Sequence, residues 1–518
     1  MASESKQEYE QRRISTANNN AVSISLPTIG RELNLDESEL QWIVGAYPLS
    51  SGCLLLVCGR LADVFGRKKI FLLGSIILAT FTLACGLTKN VMLLYILRGI
   101  QGVGVAGMVP AALGILADSF PPSPKRSLAF ATFSSGSPVG AIFGTAIGGA
   151  LTEFTKTTWR SPFYLHAALT FLLCFVGGWY VIDPDRSPSI QGDESRKMET
   201  GVSNHRYIDW IGAILATTGL ILILFVISQG EIAPRQWKTT YIIALLVVGI
   251  LLIGLFLLWQ WYLEKHQENA NSPPPLMKLS IWTHGQGRFA AMMAIAFFNL
   301  STFYAWSFWV QLYYQKYKSY STIQTVIRLS PMFVSGLLCN AFVGVLAARV
   351  RLVYLLAFGN VSTAIASLLF AIIQPEASYW CYGFPSATLG VIGADFTYAT
   401  GTLFVAKVSR QDEQSLAGGL FQTMAQTGTA VGVTITTVIF NRVSGVTQST
   451  TVDSGHSEDI LRGYKAAEWG GVAFGLVATL LSIMFFRRVG TVGDRKPNHT
   501  EDSEASIHVQ GENVKGVR

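Results

Sequence analysis

Charge is what this chain has least of. Asp, Glu, Lys and Arg make up 14% of its 518 residues, against about a quarter in an ordinary soluble domain. That is too little charge to cover a water-facing globule of this size. The six cysteines (Cys53, Cys58, Cys85, Cys174, Cys339, Cys381) fall in or at the edges of apolar runs. They give neither a metal-ligand spacing nor a disulfide framework, and read as small buried apolar residues. No Walker loop, Ser-His-Asp set, zinc spacing or haem motif falls in a loop able to form a site, so neither an enzyme nor a bound cofactor or metal is expected. Gly102-x-Gly104-x-x-Gly107 matches the dinucleotide fingerprint only formally, because it lies within an apolar run with no strand before it. The ten-residue alternation of a membrane barrel is missing, and the polar stretch Met1 to Arg13 shows no cleavable signal.

Hydrophobic residues make up half the chain, and the mean hydropathy is +0.38. Runs long enough to cross a bilayer as helices recur along nearly all of it, so the expected fold class is an all-α polytopic membrane protein. Residues 1–13 read as a disordered cytosolic N-terminus. A weak first helix over 14–30 is diluted by Ser15, Thr16, Asn18, Asn19, Asn20, Ser23 and Ser25. Stronger spans are predicted at 40–58, 70–88, 91–118, 127–151 and 161–182, then at 208–228 and 239–263. Six more follow at 288–314, 321–347, 352–373, 379–407, 415–441 and 467–486. The polar stretches 183–207 and 264–287, the latter with Pro273-Pro274-Pro275, read as cytosolic loops, and the charged tail 487–518 as disordered. Basic residues gather in short loops beside spans, more of them on the side that puts both ends in the cytosol. The net charge of +7 therefore implies a lipid bilayer as partner and no nucleic acid.

The most informative polar stretch is Gly59-Arg60-Leu61-Ala62-Asp63-Val64-Phe65-Gly66-Arg67-Lys68-Lys69, a knot between two spans. Gly59 and Gly66 are expected to let the chain turn and helices approach. Asp63 and Arg67 stand i, i+4 and could pair, and Asp63 could face a helix N-terminus. Arg67, Lys68 and Lys69 mark the cytosolic side. Farther on, Gly136, Gly140, Gly144 and Gly148 recur every fourth residue, a bare stripe on which another backbone can lie.

The knot resembles the G-x-L-a-D-r-x-G-r-k signature of the major facilitator superfamily, found between that family's second and third helices. Six spans, an inserted pair and six spans more resemble its fourteen-helix drug:proton antiporter branch. Gln41-Trp42 with Tyr47, the set Leu94, Arg98, Gln101 and Gly102, and Asp209-Trp210 with Gly212 resemble that branch as well. The wording of 26–35 and 41–69 is most similar to fungal members, including the aminotriazole-resistance group and exporters of secondary metabolites. The resemblance implies an N-terminal bundle over 14–182, two inserted helices over 208–263 and a C-terminal bundle over 288–486. Residues 140–149 resemble the antiporter motif g-x-x-x-G-P-x-x-G-G, carried here by Gly140, Gly144, Gly148 and Gly149, with Thr145 where the family has proline.

The resemblance further implies alternating access driven by a proton gradient, a monomer, and a small-molecule substrate in the plasma membrane or the vacuolar membrane. Asp118 is expected to pair with Arg67 and lock the outward-facing form. Arg98 is implied in proton coupling, with a structural hydrogen-bonding role as the alternative. Relative to the family the first helix lacks its apolar N-terminal half, and Asn18 stands where the branch has its aspartate. An amide cannot titrate, which leaves Asp395, near the middle of its span, as the best intramembrane acid. Asn299, Phe303 and Trp306 share one side of an aromatic helix, an expected substrate wall together with Asn18 and Gln101; tight packing is the competing reading. Export of drugs, toxic compounds or metabolites is the leading function. A facilitator or uptake carrier for ammonium or borate, and a non-transporting ligand sensor, are the alternatives.

Overall fold

The computed structural model describes residues 21–22, 24–26, 28–33, 35, 37–120, 124–180, 208–230, 233, 235–266, 275–346, 349–409, 413–445 and 457–491. Thirteen helices of twenty residues or more stand among them. The first five are α1 (Glu37–Phe65), α2 (Arg67–Leu87), α3 (Val91–Ser119), α4 (Pro124–Phe154) and α5 (Arg160–Tyr180). The inserted pair is α6 (Trp210–Gln229) and α7 (Thr240–Lys265). The last six are α8 (Arg288–Leu312), α9 (Thr322–Leu346), α10 (Leu352–Ala371), α11 (Tyr379–Val408), α12 (Gln414–Ser444) and α13 (Ser457–Phe486). Before α1, the described residues between Ala21 and Leu33 are helical and mostly buried. Asn18 lies outside the described residues, as do 183–207 and the tail beyond 491.

Helices are the form that satisfies every backbone group without water, which apolar spans in lipid require. Ten of the described helices are long and apolar enough to cross a membrane, and the apolar stretches of α4 and α5 are shorter. The remaining helix, α12, is polar and built for protein contact. α12 carries Gln422, Thr423, Gln426, Thr427, Thr429, Thr434, Thr436 and Thr437, and it packs on α1, α8 and α13. Lipid-facing helices show the opposite pattern. On α7, Leu251, Leu255 and Leu258 all lie more than half exposed, as an outer helix in hydrocarbon should.

Two seams join the halves, α1 against α12 and α4 against α9. At the first, a Cβ placed on Gly419 would lie 2.9 Å from the Leu55 carbonyl oxygen, and one on Gly52 would lie 3.1 Å from Gln426 Cβ. Bare backbone lets the helices meet. The inserted pair crosses where Gly219 and Gly249 face each other, and α6 lies over the seam, touching both α1 and α12. Its Trp42–Phe225 ring contact spans 5.6 Å.

Asp209 caps α6 by accepting from Gly212 N at 2.8 Å. It also accepts from Trp259 Nε1 at 2.9 Å and from Gln260 Nε2 at 2.6 Å. Gln260 Oε1 in turn accepts from Met277 N, and Glu264 from Leu279 N. The chain following α7 is thus strapped against the inserted pair, and Leu276, Met277 and Ile281 are buried in the main core.

Backbone proximity makes some glycines irreplaceable and others not. A Cβ on Gly432 of α12 would sit 2.6 Å from Ser301 Cα of α8, whereas Gly254 of α7 has open space. Gly432→Ala is expected to destabilise the detergent-solubilised protein by about 1–3 kcal/mol. Gly254→Ala should leave it unchanged or slightly more stable, by up to roughly 1 kcal/mol. Thermal unfolding of the two variants checks the difference.

Candidate functional site

The charged knot is a clasp. Its structure corrects the expectation that both glycines turn the chain: residues 59–65 continue α1, with Gly59 buried inside the helix. The whole reversal falls on Gly66, at φ 101°, a conformation L side chains rarely take. α2 begins at the next residue.

Arg67 then reaches back along α1. Its Nε and Nη2 donate to Asp63 Oδ1 at 3.2 and 3.1 Å, and its Nη1 donates to the Gly114 carbonyl at 3.0 Å. Asp118 Oδ1, at the end of α3, lies 3.9 Å from Arg67 Nη1. Lys68 sits half-buried in the same turn. The second carboxylate oxygen of Asp63 crosses the molecule and accepts from Leu416 N at 3.2 Å, in the first turn of α12. An anion at a helix N-terminus meets unpaired N–H groups and the positive end of the helix dipole. Glu413, just before α12, meets Lys278 Nζ at 2.7 Å, so the strap after α7 ends at this same place.

Arg98 forms the second cluster. It is fully buried in α3, donating from Nε to the Ile43 carbonyl at 2.8 Å and from Nη1 to Gln101 Oε1 at 2.9 Å. The guanidinium stands 4.9 Å from the Tyr47 ring centre, and Gln101 Nε2 donates to Thr82 Oγ1 at 2.8 Å. Arg98 and Gln101 therefore pin α1, α2 and α3 together. Gly102 allows the approach, since a Cβ there would fall 2.4 Å from the Tyr47 carbonyl oxygen.

The glycines of α4 at 136, 140, 144, 148 and 149 are all buried. A Cβ on Gly148 would lie 2.6 Å from Ala21 Cβ, so this glycine meets the segment preceding α1. Thr145 donates to the Ala141 carbonyl of its own helix at 2.7 Å.

The C-terminal half changes the reading of the aromatic helix. Asn299 and Trp306 are fully buried and turn toward α10 and α11, not toward open space. Asn299 Nδ2 donates to Asn360 Oδ1 at 2.6 Å, Asn360 Nδ2 to Ser482 Oγ at 2.9 Å, and Thr397 Oγ1 to Asn360 Oδ1 at 3.3 Å. Trp306 Nε1 donates to Ser386 Oγ at 2.8 Å. These contacts correct the expectation of a substrate wall for the two residues, because the helix period that aligned them aligns core positions equally well. Phe303 is half-buried, stacked 6.1 Å from Trp306. Asp395 is buried midway along α11, 7% exposed. Gly393 beside it presses on Gly359 of α10.

Asn360, Ser482 and Glu468 are buried polar groups that no family motif in the sequence singles out. Polar residues inside apolar runs are the signal for the first two. Glu468 was hidden because its apolar run begins beside it, whereas α13 starts ten residues earlier.

The clasp is the part of the site with the sharpest energetic signature. A double-mutant cycle on Asp63→Asn and Arg67→Ala, read as transport rate, should show coupling of about 0.5–3 kcal/mol rather than additivity. Asp118→Asn combined with Arg67→Ala should likewise cost no more transport than either substitution alone.

A sequence model of the Major Facilitator Superfamily matches residues 14–228 and 202–433. The chain is 26% identical over 488 residues to efflux pump terG of Aspergillus terreus, covering 93% of this chain and 86% of that protein. It is 24% identical to the aminotriazole resistance protein of Saccharomyces cerevisiae, over 86% of this chain and 76% of that one. To the low affinity ammonium transporter of the same yeast it is 25% identical, over 84% and 78%. The crystal structure of the human organic anion transporter MFSD10 superposes with a TM-score of 0.57 at 12% identity, covering 92% of this chain and 99% of that one, which is a likeness of fold. With its multi-pass helical architecture and a family match across most of its length, this chain belongs to the Major Facilitator Superfamily and is a membrane transporter, not an enzyme.

Proposed function

We propose that the protein exports small toxic molecules or metabolites in exchange for protons, by rocking its two halves around a central path. The observation that carries this reading is the Asp63 carboxylate holding the first turn of α12. A contact that ties the halves at one end only is what a two-state rocker needs, since breaking it frees that end to open. Similarity to efflux pump terG and to the aminotriazole resistance protein supports the outward direction. In this reading Asp395 carries the coupling proton, and Arg98 holds the α1–α3 contact through which the N-terminal half responds. The substrate is small, the working unit is one chain, and the membrane is the plasma membrane or the vacuolar membrane.

A second reading keeps the fold and drops the proton. Asn18 cannot titrate, and the chain is similar to the low affinity ammonium transporter, so a facilitator for ammonium or another small solute is the competitor.

Dye efflux from cells expressing the protein separates the two. Cells loaded with a panel of fluorescent cationic and neutral dyes should lose at least one of them, and a protonophore should abolish that loss. Asp395→Asn should abolish the protonophore-sensitive component while the protein still reaches the membrane. Efflux indifferent to the protonophore would remove the antiport reading.

A further inference from the structure

Besides Asp209 and Asp395, one more buried acid takes no part in the clasp or the Arg98 cluster. Glu468 of α13 is 2% exposed, and neither of its carboxylate oxygens has a hydrogen-bond partner among the described residues. The nearest polar group comes from α10. The Ser367 hydroxyl faces the carboxyl closely enough to interact but outside hydrogen-bond geometry, and it too has no partner among the described residues. Gly471, one turn along α13, keeps the space between them bare: a Cβ there would lie 2.9 Å from Ser367 Oγ and 3.8 Å from Glu468 Oε2.

Among the described residues no cation pairs with this acid. α8, α10 and α12 pack against α13. The titratable and charged side chains on these elements near Glu468 are Tyr464 and Lys465 on α13 itself and Arg442 toward the end of α12, with Tyr313, Lys316 and Tyr317 in the turn after α8, which also packs on α13. None forms an ion pair or hydrogen bond with Glu468. The immediate surroundings are apolar and aromatic, with Tyr464 and Ala467 in one cluster with Trp309, Tyr313 and Phe370.

An ionised carboxylate enclosed in such a place has no counter-charge, and its one nearby donor, the Ser367 hydroxyl, lies outside hydrogen-bond geometry, so most of its desolvation is left without compensation. The neutral acid avoids that cost and has a hydroxyl to offer to Ser367.

We propose that the Glu468 carboxyl is a proton-binding site, occupied in this conformation and facing Ser367 across the α10–α13 contact. Its position says from where it is filled. The clasp end of the bundle is marked by Leu352 N donating to the Gly490 carbonyl and by the start of α12. Ser367 and Glu468 lie in the opposite halves of their helices, nearer the face that the clasp leaves free to open. A proton from water at that face converts the carboxylate to the acid, and its return to water on the other side restores the anion. As a coupling site this rests on the proton-driven reading above, whereas the bound proton itself does not.

Infrared spectra of the purified full-length protein in lipid nanodiscs test it without any substrate. At neutral pH the wild type should show the carbonyl stretch of a protonated carboxylic acid that Glu468→Gln lacks and Asp395→Asn does not remove. Ser367→Ala should shift that band, and this arm stands if Glu468→Gln fails to accumulate. A Glu468→Gln spectrum that keeps the band, or a band unmoved by Ser367→Ala, overturns the site. In proteoliposomes with an imposed pH gradient, ethidium accumulation by the wild type should be lost in Glu468→Gln, with ethidium exchange at equal pH retained. A wild type that ignores the gradient defeats the proton-driven reading and leaves the infrared result to decide the site. A gradient-driven wild type matched by Glu468→Gln defeats the coupling role.

Discussion

One carboxylate carries two jobs that no other group could share. Asp63 takes the Arg67 guanidinium on one oxygen and the backbone of α12 on the other. The first contact lies within the N-terminal half and fixes the side chain. The second crosses between halves and, in the proposed rocking cycle, is the one that must break. Because Arg67 is also held by the Gly114 carbonyl, the acid is presented to α12 in a fixed pose, and little ordering remains to be done when the contact re-forms. A neutral side chain would offer an acceptor but lose the interaction with the helix dipole. A longer acid would have to bend back to reach both partners.

The inserted pair extends the same constraint. Its own polar network, built on Asp209, Trp259 and Gln260, holds the following chain so that Lys278 reaches Glu413. The first turn of α12 is therefore gripped from two directions, by Asp63 from α1 and by the strap after α7. Only the second grip belongs to a helix pair lying mostly in lipid. α6 touches both α1 and α12, so the pair bridges the seam it helps to close. Movement of α12 away from α1 must either drag the strap along or part the Lys278–Glu413 pair.

Sequence made the scaffold legible because lipid leaves few choices. Each strong apolar run became a helix near its expected place, since nothing else satisfies the backbone there. The Asp63–Arg67 pair was legible from i, i+4 spacing and Gly66 from its place between two spans. What was not legible depends on which face of a helix is inside. Asn299 and Trp306 lie on one side of α8 by period alone, but period does not say whether that side meets a cavity or α10 and α11. Gly59 looked like part of a turn because glycine is common there, yet α1 runs through it. Glu468 was overlooked for a related reason: hydropathy set the start of its span too late, and a charged residue at a supposed boundary attracts no notice.

The polar interior divides the protein into parts that are finished and parts that are not. Around Arg98, the polar contacts run from the Ile43 carbonyl of α1 through the Arg98–Gln101 pair of α3 to Thr82 of α2. The Asn299–Asn360–Ser482 ladder does the same for α8, α10 and α13. Such networks rigidify a bundle, because any relative shift of the helices leaves buried groups unsatisfied. In the proposed cycle each half would then move as a body, with the strain of movement directed to the seams, where bare glycine backbones and the Asp63–Leu416 N hydrogen bond stand in place of interlocked polar groups. Glu468 and Ser367 stand apart from these ladders: two facing polar groups, both buried, with no hydrogen-bond partner for either among the described residues. On the proposed reading of Glu468, that gap is a place where adding or removing one proton changes the energy of the packing.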